Sequence, residues 1–70
     1  MESELLSRFG KRIRQLRVAE GWTQEDLAEH TQFHRTYIGM VERGERNISI
    51  KSAEVFARAF NIPLSKLFEL

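Results

Sequence analysis

His34-Arg35-Thr36-Tyr37-Ile38-Gly39-Met40-Val41-Glu42-Arg43-Gly44 is the stretch on which the reading of this chain turns. Wound at about 100° per residue, it puts Ile38 and Val41 on one face of a helix. Thr36, Met40 and Arg43 fall on the opposite face. An ordinary packed helix turns a charged, mixed surface to water. Here the outer side carries a small hydroxyl, a glycine, a methionine and arginines, with Arg35 and Tyr37 beside the row. That mixture suits a helix laid in a narrow space and bonded to something polar on its outer side.

Immediately upstream, Trp22-Thr23-Gln24-Glu25-Asp26-Leu27 is a strong helix start. Thr23 can cap the N–H of Asp26 while Asp26 reaches back, a short version of the capping box. Trp22 and Leu27 stand at the positions of a hydrophobic staple. The helix is expected to run to about His30, with Leu27 and Ala28 inward, and Thr31-Gln32-Phe33 breaks it. Phe33 is expected to plug the gap between two helices. A short helix, a turn of three or four residues and a second helix is the helix-turn-helix pattern. The 34–43 segment is therefore a candidate DNA recognition helix.

Further out, Leu6, Phe9, Ile13 and Leu16 form an amphipathic stripe over about 3–20, with Ser3 as its expected N-cap and Gly21 as its αL terminator. Arg8, Lys11 and Arg12 read as a solvated face. Downstream, Gly44 ends the recognition helix and Glu45-Arg46-Asn47-Ile48 is a polar loop. Ser49 caps a fourth helix, about 50–60, with Ala53, Phe56, Ala57 and Phe60 on one face. Asn61 tolerates a second αL cap, and Pro63 opens a short fifth helix, about 63–69, through Leu64, Leu67 and Phe68. Nothing alternates with period two, so the expected fold is all-α, one domain of five helices over 1–70.

The bulk properties narrow the function classes. Seventy residues bury only about 60% of their unfolded surface, so the core is thin and dimerisation would help hold it. The absence of cysteine excludes disulfides and thiolate metal sites. No apolar run reaches membrane-spanning length, and Met-Glu-Ser-Glu lacks the basic start of a signal peptide. The expected location is the cytoplasm. Net charge is only +1, but basic residues cluster at 8–17 and 35–51, while acids gather at Glu2 and Glu4, at Glu20 to Glu29 and at the end of the chain.

Taken together, Trp22-Thr23-Gln24-Glu25-Asp26-Leu27-Ala28, Arg35-Thr36-Tyr37-Ile38 and Glu42-Arg43-Gly44-Glu45-Arg46-Asn47-Ile48-Ser49 resemble the Cro/repressor-type (XRE) helix-turn-helix family. The Arg-Thr-Tyr-Ile start with Glu-Arg-Asn-Ile-Ser is most similar to the controller proteins of restriction–modification systems. The resemblance implies a compact lambda-repressor-like domain whose helices 2 and 3 form the motif. It implies a homodimer on a pseudo-palindromic double-stranded DNA operator, with recognition helices in successive major grooves about 34 Å apart. Such proteins regulate their own gene and the endonuclease gene according to how many dimers are bound, two dimers per operator and RNA polymerase being the further partners. They have no cofactor, metal or catalytic activity.

Among the residues, Arg35 is the candidate for base reading, since a guanidinium in a major groove bonds both guanine acceptors; a phosphate clamp is the competing role. Thr36 suits a base edge or a phosphate. Tyr37 suits a phosphate or the edge of the core, and Met40 a base contact or a packing gap. Gly39 suggests close approach of the helix to something. Thr23 and Gln24 match family positions that hold phosphate, although capping alone would explain them. Arg43, Arg46 and Asn47 leave the helix toward the DNA backbone or minor groove, and Lys51 with Ser52 suits phosphate at the fourth helix. A solvated loop is the alternative for each.

The resemblance assigns Arg17 and Glu42 to a structural brace. It also marks two departures. Gln32 stands at a φ > 0 position commonly held by glycine or asparagine, at a cost of about 1 kcal/mol. His34 replaces the usual serine, threonine or aspartate cap, either capping poorly or touching phosphate. His30 and His34 share a metal-like spacing, but the turn between them separates the pair.

Ile62, Leu64, Phe68 and Leu70, expected to be exposed, are the candidate dimer surface. A protein-binding module such as an antitoxin is the alternative class, with a phage-type repressor as a further regulator reading. An antitoxin would carry a longer or disordered C-terminal end, and this chain stops after the last helix. An enzyme lacks any nucleophile–base spacing.

Overall fold

The computed structural model describes residues 2–70, with side chains from Glu4 onward. Five helices follow one another: α1 (Glu2–Ala19), α2 (Gln24–Thr31), α3 (Arg35–Glu42), α4 (Ile50–Ala59) and α5 (Leu64–Leu67). No strand occurs among the described residues.

The helix ends are written locally. Gly21, at φ 77°, closes α1 with the paired bonds Gly21 N–H to Val18 O (2.9 Å) and Trp22 N–H to Arg17 O (3.1 Å), a Schellman motif. Gly44 and Asn61, at φ 75° and 58°, close α3 and α4 in the same way. Thr23 and Asp26 form the reciprocal capping box, and Ser49 Oγ accepts from Ser52 N–H at 3.0 Å.

Several boundaries differ from the sequence reading. Ser3 lies inside α1 rather than before it, and its side chain is outside the described residues. Thr31 belongs to α2, because its hydroxyl is satisfied within the helix by donating to Leu27 O at 2.8 Å. The same oxygen accepts from Phe33 N–H at 3.1 Å, so Thr31 starts the turn as well. Pro63 is the N-cap of α5, with an extended ψ of 157°, and the helix ends at Leu67, leaving a single turn.

The core gathers Phe9 and Ile13 of α1, Leu27 of α2, Ile38 and Val41 of α3, Ala53, Phe56 and Ala57 of α4, Phe60 and Leu67. Leu6 and Leu16, the outer members of the α1 stripe, are only half-buried. Phe33 plugs the turn, its ring 5.3 Å from Phe56 and 4.9 Å from Tyr37. Trp22 packs against the core that contains Leu27, but its ring stacks are with His30 at 4.0 Å and Phe60 at 5.7 Å.

α1 packs most extensively against α3, and the reason is a residue the sequence reading passed over. At Gly10 a Cβ would overlap the carbonyl oxygen of Val41 and stand 2.5 Å from that of Glu42. The bare backbone of α1 thus lies against the last carbonyls of α3. At Gly44 a Cβ would stand 2.9 Å from the backbone of Ser7, so the chain leaves α3 along the same contact.

Arg12 also departs from expectation. Arg8 and Lys11 are exposed, as a solvated face requires, but Arg12 is half-buried and donates to Lys66 O at 2.6 Å and Leu67 O at 3.4 Å, and Arg8 reaches Leu70 O at 3.4 Å from solvent. The terminal carbonyls of a helix lack intrahelical partners and carry partial negative charge. Two arginines of α1 thereby tie the C-terminal turn back to the N-terminal helix.

Candidate nucleic-acid interface

The candidate surface begins at the N-terminus of α3. His34 holds an extended backbone and its Nδ1 accepts from Thr36 N–H at 3.0 Å. The imidazole therefore does the work of the missing serine or aspartate, in the neutral tautomer that carries its proton on Nε2. Arg35 and Thr36 follow, both exposed. The Arg35 guanidinium has no hydrogen-bond or ion-pair partner among the described residues. Met40, one turn on, is half-buried.

The turn before α3 takes the left-handed conformation at Gln32, φ 66°. Its side chain compensates locally, Nε2 donating to Glu29 O at 2.7 Å. The strain is thus partly relieved by one added bond to the end of α2.

The inner support of α3 is a buried polar group. Glu42 receives the Arg17 guanidinium, and the two side chains are 5% and 12% exposed. Gln24 Nε2 donates to Glu42 Oε1 at 3.2 Å. Gln24, a phosphate candidate, is thus also a member of this brace. Arg17 Nη1 donates further to Trp22 O at 2.8 Å, so three elements meet at one carboxylate.

Around α3 the remaining candidates are placed as follows. Arg46 lies over the Tyr37 ring, Cζ to centroid 5.1 Å, a cation–π contact that orders the loop against the helix. Arg43 pairs with Glu45 at 3.0 Å, and this hydrogen-bonded pairing raises the arginine pKa and lowers that of the carboxyl. Gly39, expected to admit a close neighbour, is covered by Arg43 and Gln24. Asn47 and Lys51 are exposed, while Ser52 Oγ accepts from Ser49 Oγ at 3.2 Å. Thr23 is engaged by Asp26, and the bonds from Thr23, its backbone N–H first, hold the Asp26 carboxyl below the usual carboxylate range. His30 is stacked on Trp22 and His34 caps α3, so the two imidazoles serve different ends.

A short helix, a three-residue turn and a second helix braced from behind, with Arg35 and Thr36 exposed at its start, now define the motif in space. The helix-turn-helix family HTH_3 matches residues 13–67. This chain belongs to that family. Its relatives include the control protein C.SmaI of Serratia marcescens, 42% identical over 59 residues, spanning 84% of this chain and 70% of the relative. The control protein C.BamHI of Bacillus amyloliquefaciens is 37% identical over 62 residues, spanning 87% and 76%. Among solved structures, the restriction–modification controller protein C.AhdI of Aeromonas hydrophila superposes with a TM-score of 0.89 at 42% identity. That match covers 94% of this chain and 96% of that one. The controller C.Esp1396I, solved as a tetramer with its natural 35 base-pair operator, matches at 0.85 and 40%, covering 93% and 86%. The all-helical helix-turn-helix fold and the likeness to controller proteins are thus both established.

The dimer candidates divide. Phe68 and Leu70 are exposed, at 45% and 40%. Ile62 and Leu64 are half-buried and packed on the core, because the Asn61 cap and Pro63 turn them inward. Sequence reasoning missed Leu5 and Ile50, 55% and 77% exposed. With Phe68 and Leu70 they border an apolar groove of about 220 Å³.

Proposed function

We propose that this chain is a sequence-specific, DNA-binding transcriptional regulator of the controller type, a homodimer on a pseudo-palindromic operator that governs its own gene and a restriction endonuclease gene. The observation that carries the reading is the first turn of α3. Arg35 and Thr36 stand exposed on a helix whose other side is locked into the core. That a relative 40% identical to this chain was solved as a tetramer in complex with its natural operator supports the DNA-binding reading.

In this reading Arg35, Thr36 and Met40 meet base edges. Thr23, Gln24, His34, Tyr37, Arg43, Arg46, Asn47, Lys51 and Ser52 meet the DNA backbone or minor groove. Residues 1–70 act as one domain, without catalysis or cofactor, in the cytoplasm. No described helix is long and apolar enough to cross a membrane. A second copy covers the groove edged by Phe68 and Leu70.

Selection of bound sequences from random duplex DNA should return a pseudo-palindrome with half-sites about one helical turn apart. Arg35→Ala should then lose about 1–3 kcal/mol of discrimination at one base pair of each half-site. Enrichment of no sequence, or unaltered discrimination by the variant, would remove the assignment.

A further inference from the structure

The guanidinium of Arg43 doubles back from the end of α3 over Gly39, one turn upstream. A Cβ on Gly39 would stand 3.1 Å from Arg43 Nη1 and 3.7 Å from Gln24 Oε1. The missing side chain therefore makes a seat for the arginine head, where the start of α2 meets α3. Glu45 closes on that head with two bonds, Nε to Oε2 at 3.0 Å and Nη2 to Oε1 at 3.2 Å. Gly44 supplies the left-handed reversal that brings Glu45 back, and Glu45 N–H bonds Met40 O at 2.9 Å. The Glu45 backbone is thus part of the helix terminator, which places its carboxylate within reach of the arginine.

Both side chains are more than half exposed, 58% and 51%. An ion pair in that setting is weak and screened by salt, so a phosphate at close range can take the place of the carboxylate. Away from DNA the carboxylate sits on the guanidinium, so Arg43 and Glu45 together present no net charge.

We propose that Glu45 is a specificity-determining residue, neutralising Arg43 until close docking on DNA exchanges the carboxylate for a phosphate. The inference rests on the DNA-binding reading above. Non-specific binding is almost wholly phosphate neutralisation with release of counterions, and its salt slope counts the cations engaged. Masking one arginine per protomer removes that cation from every loosely held encounter. A tightly docked operator recovers it. The gap between right and wrong sequences widens because the wrong ones are weakened more.

The test compares the full chain with Glu45→Gln, Arg43→Gln and the double variant, each first checked for an unchanged thermal melt. Fluorescence anisotropy follows binding to a scrambled duplex and to a duplex selected from random DNA, across a salt series. Glu45→Gln should steepen the scrambled-duplex slope by up to about 0.9 per protomer, with binding at 0.1 M salt tighter by what an exposed pair is worth, roughly twofold to fivefold for each protomer. Its gain on the selected duplex should be smaller, and it should have little effect in the Arg43→Gln background. An unchanged slope overturns the proposal. So does an equal effect with and without Arg43, since Glu45 would then repel phosphate directly. If the folded wild-type chain binds neither duplex at any salt, the DNA-binding reading falls and this inference with it, an outcome distinct from the other two.

Discussion

The Arg17 guanidinium grips the Glu42 carboxylate with two bonds, Nε to Oε2 at 2.7 Å and Nη2 to Oε1 at 3.1 Å. The pair joins the last turn of α1 to the last turn of α3. With both partners largely removed from water, fork-to-fork geometry satisfies both groups at once. It holds the C-terminal end of α3 against the end of α1.

Breaking this pair from one side leaves a buried charge uncompensated. Arg17→Met or Glu42→Gln should each cost about 3 kcal/mol, a large share of the stability of so small a domain. The double variant should lose less than the two losses added together. A urea-denaturation cycle reads the coupling, and strict additivity would show that the two residues act independently.

Two glycines in helices should respond to alanine with opposite signs. Helix propensity alone favours each substitution by about 1 kcal/mol. At Gly10 the new methyl meets the α3 backbone, which cannot yield, so Gly10→Ala should lose about 3 kcal/mol through overpacking. At Gly39 it meets the flexible tip of Arg43, and Gly39→Ala should leave stability equal or raised by about 0.5 kcal/mol. Parallel thermal melts would decide, and equal shifts in the same direction would contradict this account of the α1–α3 contact.

His34→Ala removes the acceptor at Thr36 N–H and should cost about 1 kcal/mol, while His34→Ser should restore it, since serine caps through the same bond. If the alanine variant melts with the wild type, the imidazole is not an effective cap.

Acid should loosen the start of α2. The Asp26 carboxyl lies below its ordinary value of 3.8 because Thr23 hydrogen-bonds the ionised form. A depressed folded-state pKa contributes stability that is complete above the unfolded value and disappears as pH falls through the folded one. Stability should therefore decline below about pH 4, and Asp26→Asn should flatten that decline. A variant curve parallel to the wild type throughout would assign the acid sensitivity elsewhere.

Charge in the apolar groove should separate the protomers. Ile50→Glu is the cleaner probe, being the most exposed large hydrophobic residue, whereas Phe68 also packs 5.5 Å from Phe9. Sedimentation should show monomers for Ile50→Glu and a self-association constant unchanged by Val18→Glu on the outer side of α1. Wild-type sedimentation of the Ile50 variant would take this groove out of the dimer.

The sequence by itself determined the five helices, their order and most of their caps, Ser3, His34 and Pro63 excepted. Thr23 with Asp26, Ser49 with Ser52, and the left-handed residues Gly21, Gly44 and Asn61 all work through bonds spanning a few residues. Such bonds depend on local chain geometry and leave their mark as short words. The exposed first turn of α3 was legible for a related reason, since helical periodicity separates Arg35 and Thr36 from Ile38 and Val41. Only the tertiary structure decided what lies across from what. Gly10 looks like any weak point in a helix until the carbonyls of Val41 and Glu42 arrive over it. Arg12 looks solvated until carbonyls more than fifty positions away in sequence come within reach. Gln24 reads as a phosphate ligand until Glu42 comes within bonding distance, and Arg43 as a free cation until Gly44 turns Glu45 back upon it. A side chain's partner across a fold is set by how the helices pack, and no spacing along the chain records it.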